Sequence, residues 1–329
     1  MRRTLLLAVL LLPFMGFEAW GSSGFKSFPL PGAHALPARM AIDPQGDIWF
    51  VESNGNRIGR FKPEGEKFTS FELPTVRAVP ADIAVAPSGK IWFTEQDANQ
   101  LGVLDPETGT IVEYDIPTIE SLPRRLTVDA KGVVWFSEFY GNRIGRFDPQ
   151  EGRIKEYKLP TPGSQPMGIV AHEDGSIWFL ETQGNQLGRL DPESGTIREY
   201  PLPTPFMIPQ DLAIGLGGKF WFGARKDQKL VSFDPVSEVF QTYDLPHGGV
   251  IAGLSAGGKG TILFSLGFPG KIGIFNPVSQ GFQEFKLFLG NSRPNDIEMD
   301  PHGDIWFSDI GQNAIVRTSG AEVTNLLVK

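Results

Sequence analysis

The chain has 329 residues, 40% apolar and 21% charged, with a formal net charge of −8. An acidic chain without a basic run argues against nucleic acid or an anionic membrane as its partner. There is no cysteine, which excludes disulfides, a thiolate nucleophile and any Cys-ligated metal.

Arg2 and Arg3 open the chain, and residues 5–17 are apolar apart from Gly16. Ala19-Trp20-Gly21 then offers small residues two apart. This pattern predicts a signal peptide over residues 1–21 and an extracytoplasmic product, periplasmic or secreted. The run is short for a membrane span, and no later apolar run is long enough. No span is therefore expected after cleavage.

From residue 22 onward one unit repeats. Trp-Phe occurs at Trp49, Trp92, Trp135, Trp178, Trp221 and Trp306, at intervals of 43 four times and then 85. The last interval divides at Leu263-Phe264 into 42 and 43. A glycine precedes each site by three residues: Gly46, Gly89, Gly132, Gly175, Gly218, Gly260 and Gly303. Asn56, Asn99, Asn142, Asn185 and Asn313 follow the Trp by seven. Short apolar runs such as Ile144-Gly145 and Asp-Pro turns at Asp105, Asp148, Asp191 and Asp234 complete the unit. Each unit thus holds four short apolar runs bounded by turn formers, which are strands. Seven such units without a helical period predict an all-β, seven-bladed β-propeller with four antiparallel strands per blade. It forms a single domain over residues 22–329, expected to be a monomer. Phe25 to Pro31 resembles Phe68 to Pro74, so the N-terminal strand is expected to close the ring, with the tail 322–327 competing for that place.

Strand order then sorts the loops. The loops leading into each blade share one face with the second-to-third loops, and these longer loops are expected to carry function. Most leading loops contain a Pro-x-x-apolar step, and the residue before the apolar one is Arg39, Asp82, Arg125, Asp211 or Asp296. These residues are expected at the channel mouth as a ligand-binding set, joined by Gln210, Arg225, Phe268 and Asn295. Asp211 has Gly168 and Gly253 beside it in this register and is expected to lack a cation. An unpaired carboxylate there would contact a metal or ligand. A second rim set is expected at Glu52, Glu95, Glu138, Glu181 and Asp309. Of the histidines, His172 and His302 fall in turns on the opposite face. His34 and His247 fall on the candidate face, and His247 and Asp309 are the catalytic candidates.

The repeat resembles the streptogramin B lyases (virginiamycin B lyase) in Trp92-Phe93-Thr94-Glu95, Asn99 to Gly102, Glu199-Tyr200 and Leu202-Pro203-Thr204. The resemblance covers nearly all of residues 25–317. It implies a seven-bladed propeller that opens a cyclic depsipeptide at its ester by elimination, with magnesium in the site. It also implies catalytic histidines at positions occupied here by Ala252 and Asn295. A Glu is implied at Arg293, and another at Asp309 or Ile310. A second resemblance, of Arg293 to Asp296 and Trp306 to Asp309, is to the gluconolactonase-type propellers. It implies a divalent cation, Mg2+ or Ca2+, held by oxygen ligands such as Asp82, Asp211 and Asn295. Three expectations stay open: a binding propeller for a small molecule or an extracytoplasmic protein, a lyase with a rearranged site, and a metal-dependent lactonase.

Overall fold

The turn residues of the repeat do what their chemistry allows. Gly46, Gly89, Gly132, Gly175 and Gly303 sit at φ between 80° and 89°, where a Cβ is strained. Between such turns the chain forms strands of five to seven residues. The computed structural model describes residues 24–287 and 290–319. The leader expected over residues 1–21 and the tail from residue 320 lie outside the described residues. Among the described residues no helix is long and apolar enough to cross a membrane. Among the described residues two 3-10 turns, Leu216–Gly218 and Gly258–Gly260, interrupt the strands.

The strands make seven antiparallel sheets of four. Six blades are consecutive in sequence: residues 37–72, 80–115, 123–158, 166–201, 209–244 and 250–286. The seventh combines Pro294–Met299, Ile305–Asp309 and Ala314–Thr318 with the N-terminal strand Phe25–Pro29. That strand pairs from Phe25 against Thr318 to Pro29 against Ala314, so the N-terminal segment closes the ring.

Each second strand is buried on both faces, and its alternation serves two neighbours. Trp49 clusters with Ile83, Ile91 and Phe93 of blade two. Phe50, one residue on, clusters with Trp306 of blade seven. The tryptophans are therefore core, with indole N–H groups of Trp49 and Trp306 donating at 2.9 Å to Asp43 and Asp300 of the preceding turns. The phenylalanines lie over third-strand glycines. A Cβ on Gly145 would stand 2.1 Å from the Phe136 ring.

The repeated asparagine joins blades. Asn142 turns the chain at φ 52°. Its Nδ2 donates to Thr161 O at 2.9 Å, and its Oδ1 accepts from Ser164 N at 2.8 Å. Both partners belong to the loop leading into blade four. Asn56 holds Thr75 and Ala78 in the same way, and Asn313 holds Gly32 and Leu36 across the seam. Asn142→Ala should lower unfolding stability in urea by about 1–3 kcal/mol, the cost of leaving such groups unpaired. An unchanged midpoint would show that this clamp carries no weight.

Candidate functional site

A cavity of about 1190 Å³ opens at the end of the channel where the leading loops and second-to-third loops meet. A β-bulge at the head of each innermost strand sets its lining. In blade three the pairing steps from Pro123–Glu138 to Leu126–Phe136, so Arg124 and Arg125 both lie on the channel side. The residue directly after the leading proline position lines the cavity in every blade: Ala38, Ala81, Arg124, Met167, Gln210, Ala252 and Asn295. The next register lies one layer deeper.

That layer is an ionic plate. Arg39 Nη2 and Nη1 donate to the two carboxylate oxygens of Asp211 at 2.9 and 3.1 Å. Nη1 stands 3.0 Å from Asp296 and Nε 3.3 Å from Asp82. Arg125 stands 4.0 Å from Asp82 and 3.8 Å from Asp211. Burial alone would pull the Arg39 guanidinium down, but its three carboxylates outweigh this and hold it well above its usual value. Each aspartate also accepts a backbone N–H from the following blade: Asp82 from Leu126, Asp211 from Leu254 and Asp296 from Met40, at 2.8–2.9 Å. Burial raises Asp296 to about 6, with Asp211 and Asp82 adding and Arg39 opposing. Below the plate, burial and then Asp296 push Glu298 well above the usual carboxylate range.

Several expectations need correction. Asp211 does have a cation beside it, namely Arg39 of blade one, which reaches across the channel instead of pairing only with adjacent blades. Asp82, Asp211 and Asp296 are 5%, 5% and 1% exposed and lie beneath the cavity. Arg39, Arg125, Gln210, Arg225, Phe268 and Asn295 line it. His247 is outside the lining, exposed, with Nδ1 2.9 Å from Glu284. Asp309 is fully buried. It accepts from the backbone N–H groups of Arg293, Gly311 and Gln312 and from the Ser292 hydroxyl, so it shapes a loop. The residues do not fit a divalent cation. A guanidinium occupies the point where the carboxylates meet, and their remaining oxygens are spent on backbone N–H groups. Asn295 Nδ2 donates to Ala38 O. Among the described residues no group of three or more His, Asp or Glu side chains could hold a metal.

Arg39 makes the short contacts of the plate, and Arg125 stands no nearer to an aspartate than 3.8 Å, so Arg39→Met should cost about 3–5 kcal/mol in a denaturant titration, the usual penalty for breaking a buried ion pair. A loss below about 1 kcal/mol would mean that the aspartates find another partner or a proton without strain.

The second rim set is not a rim. Glu52, Glu95, Glu138 and Glu181 are at most 2% exposed. Neither carboxylate oxygen of Glu95 or Glu138 has a hydrogen-bond partner. Their facing residues Glu113 and Glu156 accept from the backbone N–H and hydroxyl of Thr75 and Thr118. The donor that Glu95 and Glu138 lack is then their own proton. Burial first, and the facing carboxylate second, push both up to about 8. Burial raises Glu181 to about 7, with Glu199 adding and Ser164 opposing. The folded chain keeps these protons where the unfolded chain has lost them. Their stabilisation is full below the unfolded value of about 4.3 and is lost as pH rises through 7 to 8. Stability measured by denaturant should therefore fall between pH 5 and pH 8. Glu138→Gln should flatten the slope by on the order of 1 kcal/mol per pH unit; parallel wild-type and variant slopes would sink the assignment.

Two lining residues, Arg124 and Arg293, were outside the expected ligand set although both flank a leading proline. The bulge that turns Arg124 inward leaves no mark in the alternation of a single strand. Arg293 stands where the resemblance implies an acid, and its place in the cavity comes from the loop before Pro294.

The model of the virginiamycin B lyase family matches residues 21–151 and 135–326. Virginiamycin B lyase from Staphylococcus aureus is 29% identical, with a TM-score of 0.85 over 90% of this chain and 98% of that one. A streptogramin B lyase structure is 30% identical, with a TM-score of 0.84 over 89% and 96% of the respective chains. A catalytically inactive histidine-to-alanine variant of the S. aureus enzyme with quinupristin is 29% identical, with a TM-score of 0.84 over 90% and 98%. No curated protein matches the chain in sequence. The seven-bladed ring, its repeat and these matches together place the chain in the virginiamycin B lyase family.

Proposed function

We propose that this member of the family binds a small molecule at the channel mouth and does not cleave it. The observation that carries the proposal is the lining itself. Among the described residues its only ionisable side chains are arginines, with no His, Asp, Glu, Lys or Tyr. An elimination needs a base to take a proton and an acid or metal to assist the leaving carboxylate. Guanidinium stays protonated at any working pH and cannot be that base. Ala252 and Asn295, where the resemblance implies histidines, line the cavity but offer only a methyl group and an amide. The leader-like residues 1–21 support action outside the cytoplasm.

The test is direct. Purified chain incubated with quinupristin and Mg2+ should leave the ring intact by mass spectrometry, at levels where a family lyase linearises it. A linear elimination product formed at many turnovers per molecule would overturn the proposal and return the chain to the lyases.

A further inference from the structure

Five arginines line the cavity: Arg39, Arg124, Arg125, Arg225 and Arg293, in a chain whose net charge is −8. Arg39 and Arg125 are balanced from below by the aspartates of the plate. The other three are not. Among the described residues Arg124, Arg225 and Arg293 make no ion pair, and no carboxylate lines the cavity with them. They come from three parts of the ring. Arg124 leads into blade three, Arg225 follows the second strand of blade five, and Arg293 leads into blade seven. We infer that the channel mouth is a site for a small organic molecule carrying two or more anionic oxygen groups, carboxylate or phosphate.

This deepens the ligand-binding proposal above and rests on it. Unpaired like charges around one cavity repel, and a folded protein leaves them so only at a cost that an anionic ligand removes. Burial first and the neighbouring Arg125 second pull Arg124 below its usual value, and Tyr140 and Asp97 offset them only in part. Arg124 is also held in place. It donates to Gln96 Oε1 and lies 5.7 Å from the centre of the Phe139 ring. A guanidinium fixed in this way presents its remaining N–H groups as a preformed fork for a carboxylate or phosphate. The spread of the three cations over different blades suits a ligand with separated charges better than a single small ion. Phe268, 81% exposed, and Met167 add apolar surface for the body of such a molecule.

Calorimetric titration of the full chain with citrate and, separately, with inorganic pyrophosphate tests this. At low salt at least one should bind at a single site and weaken as NaCl is raised, since exposed charges are screened within ~10 Å at 0.1 M. Arg225→Gln and Arg293→Gln should each weaken binding about ten-fold. Both side chains are exposed, so the thermal midpoint should not change. Arg153→Gln, in the turn on the opposite face, should leave binding unchanged. Citrate alone binding assigns the site to carboxylates, and pyrophosphate alone assigns it to phosphates. Failure of both probes, or binding indifferent to Arg225 and Arg293, overturns the anion site while leaving the non-lyase proposal standing. Quinupristin turnover by a chain that still binds the probes through Arg225 and Arg293 overturns only the latter.

Discussion

The guanidinium of Arg39 sits where three carboxylates from three other blades converge, and the channel mouth is built on that contact. Asp82, Asp211 and Asp296 bring blades two, five and seven to Arg39 of blade one. Their second oxygens take backbone N–H groups from blades three, six and one. Six blades are therefore tied at one level by Arg39 and its three carboxylates. Blade four joins differently. A Cβ on Gly168 would lie 2.8 Å from Leu212 N, so only glycine allows the two innermost strands to approach. Buried ion pairs of this kind roughly break even against apolar packing. The plate consequently does more to specify the diameter of the ring than to raise its net stability. Most of the favourable free energy resides between blades, where Trp and Phe of each second strand serve opposite neighbours.

The plate determines what the cavity above it can do. A channel lined by three free aspartates would attract a divalent ion. With Arg39 among them, the floor presents satisfied groups, and the charge that reaches the cavity is that of the arginines above. The asparagine clamps fix the walls. Asn99 holds Thr118 and Ser121 in the loop that ends at Arg124, so the same residue that marks the repeat also positions a cation of the mouth.

The ring was legible in the sequence because its cause is local and repeated: a glycine turn, a Trp-Phe pair and an asparagine at constant phase. The closing strand was legible because Phe25 to Pro31 copies Phe68 to Pro74. The site was only partly legible, for two physical reasons. The repeat register indicates neighbours in adjacent blades, but Arg39 and Asp211 lie 172 positions apart and meet across the ring. The bulge at each innermost strand also moves the cavity lining to the residue after the proline, one position earlier than the charged register. For the same reason Glu95 and Glu138 looked like rim carboxylates, whereas the end of a second strand is the inside of a blade.

The separation of these two registers lets the residues facing the cavity vary without disturbing the ring. The deeper register holds the blades together, and altering Arg39 or Asp296 strands buried charge. The register after the proline faces the cavity, and most of its members bond to nothing in the neighbouring blade. Ala252, Met167 and Gln210 show how wide a range of side chains that position admits. Removing a proton acceptor there costs the fold little, and so does adding an arginine, provided that the charge remains in the solvent-filled mouth. A lyase and a binding protein could thus share the plate and the asparagine clamps and differ at a few positions on one surface. Arg124, Arg225 and Arg293 stand outside the plate, and they make the mouth cationic in a protein that is otherwise acidic.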